Sequence, residues 1–408
     1  MDAAPPTISR ETAVIQAIDE LAPKVELHVH LEGAYDGPHL FELARRHVDR
    51  LPESVDVAGK PVALRQAVAD AKSVEEFLEQ HVTLPPSTCT LSAFLAPFNW
   101  VGAIVQTAVR AEGLAALEEV ALHFVKRQAA SNAIYTEVRW CPHLALEPAV
   151  LAAEDGESRY AAARDVLLAV ARGLRRGEAA YGVQVRQILA AVDFLPQCAL
   201  ELARMLREVG RAADCVGIDV AGGEGHFGLE GAANPFLQAV RNAQRAGFAT
   251  TIHAGEDANT GGTALNVRRA IEVYGATRIG HGYLALADDS VVALARREGT
   301  HFECCPTSSL LTGGFAPRPR PWSEHPLRAF YERGMSCGLN SDDPLMCGVC
   351  LEDEFQLCRR GEGVGGMGLG EAAARMLTEN AIEAAFCEAE LKVELRRRVA
   401  DFYEAHQR

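Results

Sequence analysis

Short apolar, β-branched runs alternate with longer helix-period stretches along most of the chain, and this alternation restricts the fold more than any other feature. The runs fall at 24–30, 133–140, 183–192, 215–221, 249–254, 277–281, 301–305 and 336–341. Between them lie segments such as "GLAALEEVALHFVKRQAA", which places Leu114, Leu117, Ala121, Phe124 and Val125 on one stripe. Eight strands separated by helices predict an α/β chain folded as a TIM (β/α)8 barrel, with a single domain over 1–408. A helical insert of about 37–130 separates the first strand from the second, and helices near 371–386 and 389–406 follow the eighth. An insert in that position is placed to lie over the barrel mouth.

A barrel of this kind gathers its functional groups where the strands end. Five of the eight runs end in His or Asp before a Gly or Pro turn: "KVELHVHLEG", "IDVAGGE", "TIHAGED", "RIGHGY" and "GLNSDDP". Turn chemistry accounts for an Asp-Gly here and there. It does not account for three such ends carrying histidine. His28 and His30 alternate within the first strand, so both rings share one face. With His253 and Asp342 they form an imidazole-and-carboxylate set suited to Zn2+, which keeps a position open for water. No lysine lies in 183–192 or 215–221 to bridge a second metal, so one zinc per chain is expected.

Water activated by a metal needs a base, and the leaving group needs an acid. Glu256 stands three residues past His253 and is expected to reach the pocket without ligating. His281 would be its neighbour on the next strand. Asp343 must point differently from Asp342 and is left for substrate; Glu256 and Asp343 also read as caps of the helices that follow, and Asp257 reads as a cap alone.

Net charge narrows the partner. At −15 the chain is ill-suited to a nucleic-acid backbone or an anionic membrane, and no apolar run approaches the length of a bilayer span. The expected partner is a small molecule, with no protein partner deducible. Eleven cysteines, an odd number, include the adjacent Cys304 and Cys305 and a lone "CGVC" at Cys347 and Cys350. No second pair completes a zinc ribbon, so these read as reduced structural thiols. The first residues show no basic patch followed by an apolar segment. A reducing, cytoplasmic location is the expectation.

The ordered set "VELHVHLEGA", "DVAGGE", "HAGE", "RIGHGY", "ECCPTSSLLTG" and "LNSDDPL" resembles the adenosine deaminase family over nearly the whole chain. The resemblance implies one zinc held by His28, His30, His253 and Asp342, and water attack on C6 of a purine nucleoside. Glu256 would protonate N1, and His281 would help deprotonate the water. Asp343 would meet N7, and the Gly222 N–H would meet N3. "FLAPFNW", with Phe94, Leu95, Phe98 and Trp100, resembles the family's apolar gate; read by itself it is an ordinary helix core stripe. Four positions depart from the pattern. Glu32 stands where an Asp for the ribose 5′-hydroxyl is usual, Thr307 where an aromatic is, Leu284 where a His is, and Gly223 where an acid is. All four are expected at ribose or gate contacts.

The reaction so implied is deamination of adenosine, and of 2′-deoxyadenosine, to inosine and ammonia. Sibling enzymes acting on adenine, AMP or an N6-substituted AMP are the main rivals. Phosphate binding would call for Lys or Arg at the strand ends, which have few, and Ser309 occupies a place where adenine-specific relatives tend to carry Asn. A cytidine-type site needs His-x-Glu with Pro-Cys-x-x-Cys; "HAGE" has two residues between His and Glu, and "PLMCGVC" separates Pro344 from its cysteines, which disfavours that class. A catalytically dead binding module need not have kept the full acid–base set.

Overall fold

The computed structural model describes residues 21–406 except 58, 89, 230–233 and 316–319. Its strands are β1 (Lys24–His30), β2 (Val55–Val57), β3 (Lys60–Val62), β4 (Ala133–Trp140), β5 (Gln184–Val192), β6 (Cys215–Ala221), β7 (Ala249–Ala254), β8 (Arg278–His281), β9 (His301–Cys304) and β10 (Ser336–Leu339). Eight of them, β1 and β4 to β10, form one parallel sheet in chain order, curled into a nearly closed TIM barrel. The expected strands stand within two residues of these bounds. The eighth ends early because the Asn340 side chain takes over from the ladder, its Oδ1 accepting from the Leu27 and His28 amides at 2.8 and 3.0 Å.

Period-two alternation in β1 divides its residues between two environments. Val25 and Leu27 pack outward with Ile382, Leu395 and Val399 of the two C-terminal helices, Gly370–Ala384 and Ala389–His406. Glu26, His28 and His30 take the alternate positions. The helix Ala115–Ala130 carries the stripe read from sequence: Leu117, Ala121, Phe124 and Val125 are buried and Leu114 packs at its edge. Burying Phe124 alone is worth roughly 2–3 kcal/mol.

The seam between β10 and β1 is made differently from the other strand pairs. One isolated bridge, Val29 to Asp342, joins them beyond the end of β10. The His30 amide donates to the Asp342 carbonyl at 2.8 Å, and the Asp342 amide donates to the His28 carbonyl at 3.0 Å. The residues that close the barrel are therefore the ones singled out as metal ligands.

The insert is not wholly helical. β2 and β3 form an antiparallel hairpin within it, turning at Gly59, whose φ of 79° is the left-handed conformation such a turn needs. Its signature, "VDVAGKPV", is an alternating run interrupted by Gly. One stretch of the insert, Leu91–Glu112, is long and apolar enough to match a membrane span, but half of its most apolar window is buried. Pro97 divides it into the helices Leu91–Leu95 and Phe98–Glu112.

Candidate active site

A cavity of about 900 Å3 opens at the C-terminal ends of the strands, under the insert. His30, His253, Glu256, His281, Asp342 and Asp343 all face it. His28 lies just beneath, fully buried, with its Nε2 lacking any hydrogen-bond partner.

Burial of that many imidazoles and carboxylates requires a partner for each. Behind the cluster the partners are explicit. His28 Nδ1 donates to Glu303 Oε2 at 2.9 Å, and His253 Nδ1 lies 3.0 Å from Asp219 Oδ2. These bonds fix the ring orientations and turn each Nε2 toward the centre, the usual arrangement behind a metal-ligating histidine. Burial opposes ionisation of Asp219, yet the neighbouring His253 and Arg139 hold its carboxyl well below the usual range.

In front, the spacing fits a metal ion. His28 Nε2 is 3.1 Å from Asp342 Oδ1, His30 Nε2 is 3.4 Å from the same oxygen, and His30 Nε2 is 3.3 Å from His253 Nε2. Ligands at zinc bond lengths in a tetrahedron stand about 3.3 Å apart. His28, His253, His281 and Asp342 also offer ligand atoms within 4.8 Å of one another, so five groups converge. Asp342 sorts them. Its Oδ1 faces His28 and His30, whereas its Oδ2 accepts from Ser308 Oγ at 2.7 Å and lies 3.8 Å from His281 Nε2. The same His281 nitrogen is 3.8 Å from Glu256 Oε2, which puts the ring between the metal-side groups and the acid.

Two of these residues take the left-handed backbone conformation. His281 and Asp342 both have φ of 61°; among the described residues the other non-glycine cases are Asn132 and Asp214. Asn, Asp and His enter this region more often than other non-glycine residues, yet only a few per cent of non-glycine residues lie there. Strain at such positions persists only where the surroundings enforce it.

The protonation states are set by the same burial. Glu256 is pushed up to about 8 by burial and by the nearby Asp342 carboxylate, so it carries a proton at neutral pH. Asp343 is raised well above its ordinary value for the same two reasons. Burial holds His281 well below the usual imidazole range, leaving it neutral. Glu224 steadies the turn beneath Glu256: its Oε1 accepts the Glu256 amide at 3.1 Å and its Oε2 accepts from Asn266 at 2.8 Å. Asp257 caps, as expected, by accepting the Asn259 amide at 3.0 Å.

Phe94, Leu95, Phe98, Glu32 and Gly222 line the cavity. Gly222 has φ of 98°, and a Cβ there would come within 2.3 Å of Asp193 Oδ1, so only glycine fits. Trp100 is not part of the wall. It is buried to 1% and stacks on His81 at 4.9 Å, because a helix turns residues 98 and 100 to different faces. Of the four departing positions, Glu32 alone reaches the cavity. Its Oε1 accepts the Cys141 amide at 3.0 Å, and burial pushes its carboxyl up to about 7. Leu284 instead bonds the Gly255 carbonyl through its amide, and the Thr307 amide donates to Glu354. Gly223 sits against Asp193. Sequence reading missed Phe194, an exposed aromatic at the cavity rim, and the hairpin residues Val55 and Asp56. It also missed Arg139, Asp219 and Glu303 as groups that hold the histidines. Arg139 and Glu303 stand in buried strands, and a charged residue there is itself a signal.

The adenosine deaminase family profile matches residues 75–402. The chain belongs to the adenosine deaminase family. It is 30% identical to the adenosine deaminase of Mus musculus over 388 residues, covering 94% of this chain and 97% of that protein. With the Bos taurus adenosine deaminase it shares 31% over 379 residues, 91% and 92% of the two chains. Solved structures agree in fold. An adenine deaminase from Arthrobacter aurescens superposes with a TM-score of 0.69 at 22% identity, over 94% of this chain and 99% of that one. The N6-methyl-AMP deaminase of Arabidopsis thaliana does so at 0.69 and 21%, over 95% and 98%. A zinc-bound amidohydrolase from Burkholderia ambifaria gives 0.70 at 22%, over 100% and 97%. Membership of the adenosine deaminase family makes the chain a hydrolytic deaminase and makes a metal at the His/Asp cluster the natural reading of its geometry.

Proposed function

We propose that this deaminase acts on adenosine and 2′-deoxyadenosine, releasing ammonia and leaving inosine or deoxyinosine, with one zinc per chain held by His28, His30, His253 and Asp342. The observation that carries the reading is the 3.1–3.4 Å spacing of those ligand atoms in the cavity that the buried Glu256 also faces. Zinc bound there supplies a Lewis acid that makes water a competent nucleophile near neutral pH. The protein's own groups do the rest. Purine C6 is a poor electrophile, and Glu256 remedies this by giving its proton to N1. Neutral His281 is in a state to accept a proton from the attacking water. N7 is an acceptor, so it needs a donor; burial and the Asp342 carboxylate favour the protonated form of Asp343, which is one. The Gly222 N–H serves N3 in the same way, and Glu32 faces the ribose. Phe94, Leu95 and Phe98 exclude water from above.

Charge favours a nucleoside over a nucleotide. Arg110 is the single Lys or Arg lining the cavity among the described residues, and Glu147 engages it at 2.8 and 3.1 Å. Five carboxyl groups, Glu32, Asp56, Glu256, Asp342 and Asp343, face the same space. Among the described residues, none offers a free cation to a phosphate entering it. Among the described residues no two cysteines are joined in a disulfide, which suits a reducing, cytoplasmic setting. A panel of adenosine, deoxyadenosine, adenine, AMP and N6-methyl-AMP, scored by ammonia release with and without chelator, tests the reading. Turnover of AMP without adenosine overturns the nucleoside assignment. Full activity in metal-free protein overturns the zinc.

A further inference from the structure

The two histidines that straddle the candidate metal centre are tied together from behind. Arg139, at the end of β4, is fully buried. Its Nη1 donates to Asp219 Oδ2 at 2.8 Å, the carboxylate that orients His253. Its Nη2 donates to Glu303 Oε2 at 2.5 Å, the very oxygen that accepts from His28 Nδ1, and to the Leu27 carbonyl at 2.7 Å. A continuous chain therefore runs His28–Glu303–Arg139–Asp219–His253.

We propose that Arg139 is a positioning residue that couples His28 to His253, so that the two rings meet the metal as one unit. Charge balance alone does not explain the geometry. Glu303 already has a second cation in Arg278, whose Nε donates to its Oε1 at 2.6 Å. Arg278 pairs on its other side with Glu137, not with Asp219. Thr251 Oγ1 completes Glu303 at 3.0 Å, so neither oxygen of this carboxylate is free to reorient. Only the planar fork of Arg139 touches both carboxylates, a geometry that an ammonium cannot reproduce. Its position also suits the task. Arg139 pairs with His30 in the β1–β4 register and so stands beside the ligand-bearing end of β1. The inference rests on the zinc reading given above.

The test is a double-mutant cycle read in metal affinity. Asp219→Asn and Glu303→Gln keep side-chain shape while weakening opposite ends of the link. Zinc affinity is measured by chelator competition, and the ligand field is followed in the cobalt-substituted protein. Each single variant is expected to bind zinc about ten- to a hundredfold more weakly. Because the link fails when either end is cut, the double variant should lose little more than the worse single one. A double loss equal to the product of the two single losses overturns the proposal. Should either variant fail to fold, Arg139→Lys takes its place: one ammonium can meet one carboxylate, and a tenfold loss with an altered cobalt spectrum is expected. Unchanged affinity and spectrum in a folded Arg139→Lys protein overturn the proposal. Wild-type protein that binds no zinc counts against the metal reading itself, whereas zinc binding with independent losses counts against Arg139 alone.

Discussion

His30 and Asp342 meet twice: the His30 amide donates to the Asp342 carbonyl at 2.8 Å, and His30 Nε2 lies 3.4 Å from Asp342 Oδ1. The backbone contact closes the barrel, and the side-chain contact faces the candidate metal centre. A metal bound there would clamp a seam joined by the one bridge Val29–Asp342. Chelation should therefore lower the melting temperature and speed amide exchange in 24–30 and 336–342 more than in β4 or β5. Hydrogen exchange with and without zinc checks this; uniform or absent change argues against a clamp.

Glu256→Gln removes the transferable proton but keeps the shape of the acid. The variant should retain zinc at one per chain and bind nucleoside, while kcat falls by roughly 10²–10⁴. Steady-state kinetics beside metal analysis decide it. Near-normal kcat removes Glu256 from the acid role.

Most of the barrel was legible because its signals are local: an apolar run, a helix-period stretch, a His or Asp before a turn. The candidate centre was legible for the same reason, since His28, His30, His253, Glu256, His281 and Asp342 all stand within three residues of a strand end. What escaped reading depends on contacts distant in sequence. Arg139 and Glu303 are 164 residues apart, and no spacing within one strand announces that they meet. The gate was half legible for a geometric reason: "FLAPFNW" is apolar throughout, and only the fold divides it into Phe98 on the cavity wall and Trp100 in the core.

That division makes a contrast between two nearby aromatics. Trp100→Ala should empty a packed site and destabilise the fold by about 3–5 kcal/mol, with kinetics of the surviving folded protein little changed. Phe98→Ala removes part of the cavity wall from a half-buried position, so it should cost about 1 kcal/mol or less and raise KM severalfold. Denaturant melts and Michaelis–Menten kinetics on the pair check it. The reverse pattern would move Trp100 to the wall and Phe98 to the core.

Glu354 links pH to stability away from the reaction. It is fully buried, its Oε1 accepts the Thr307 amide at 3.1 Å, and its Oε2 has no hydrogen-bond partner. Burial pushes its carboxyl from 4.5 up to about 8. Between those values the folded chain holds a proton that the unfolded chain has lost. The group's contribution is therefore complete below about pH 4.5 and declines as pH rises toward 8, by a few kcal/mol, on the order of 1.4 kcal/mol per pH unit at most. Glu354→Gln keeps an acceptor for Thr307 and has no proton to lose. Its stability should match the wild type near pH 5 and exceed it near pH 8, with a flatter slope between. Urea melts across that range provide the measurement, and parallel slopes would show that Glu354 does not titrate there.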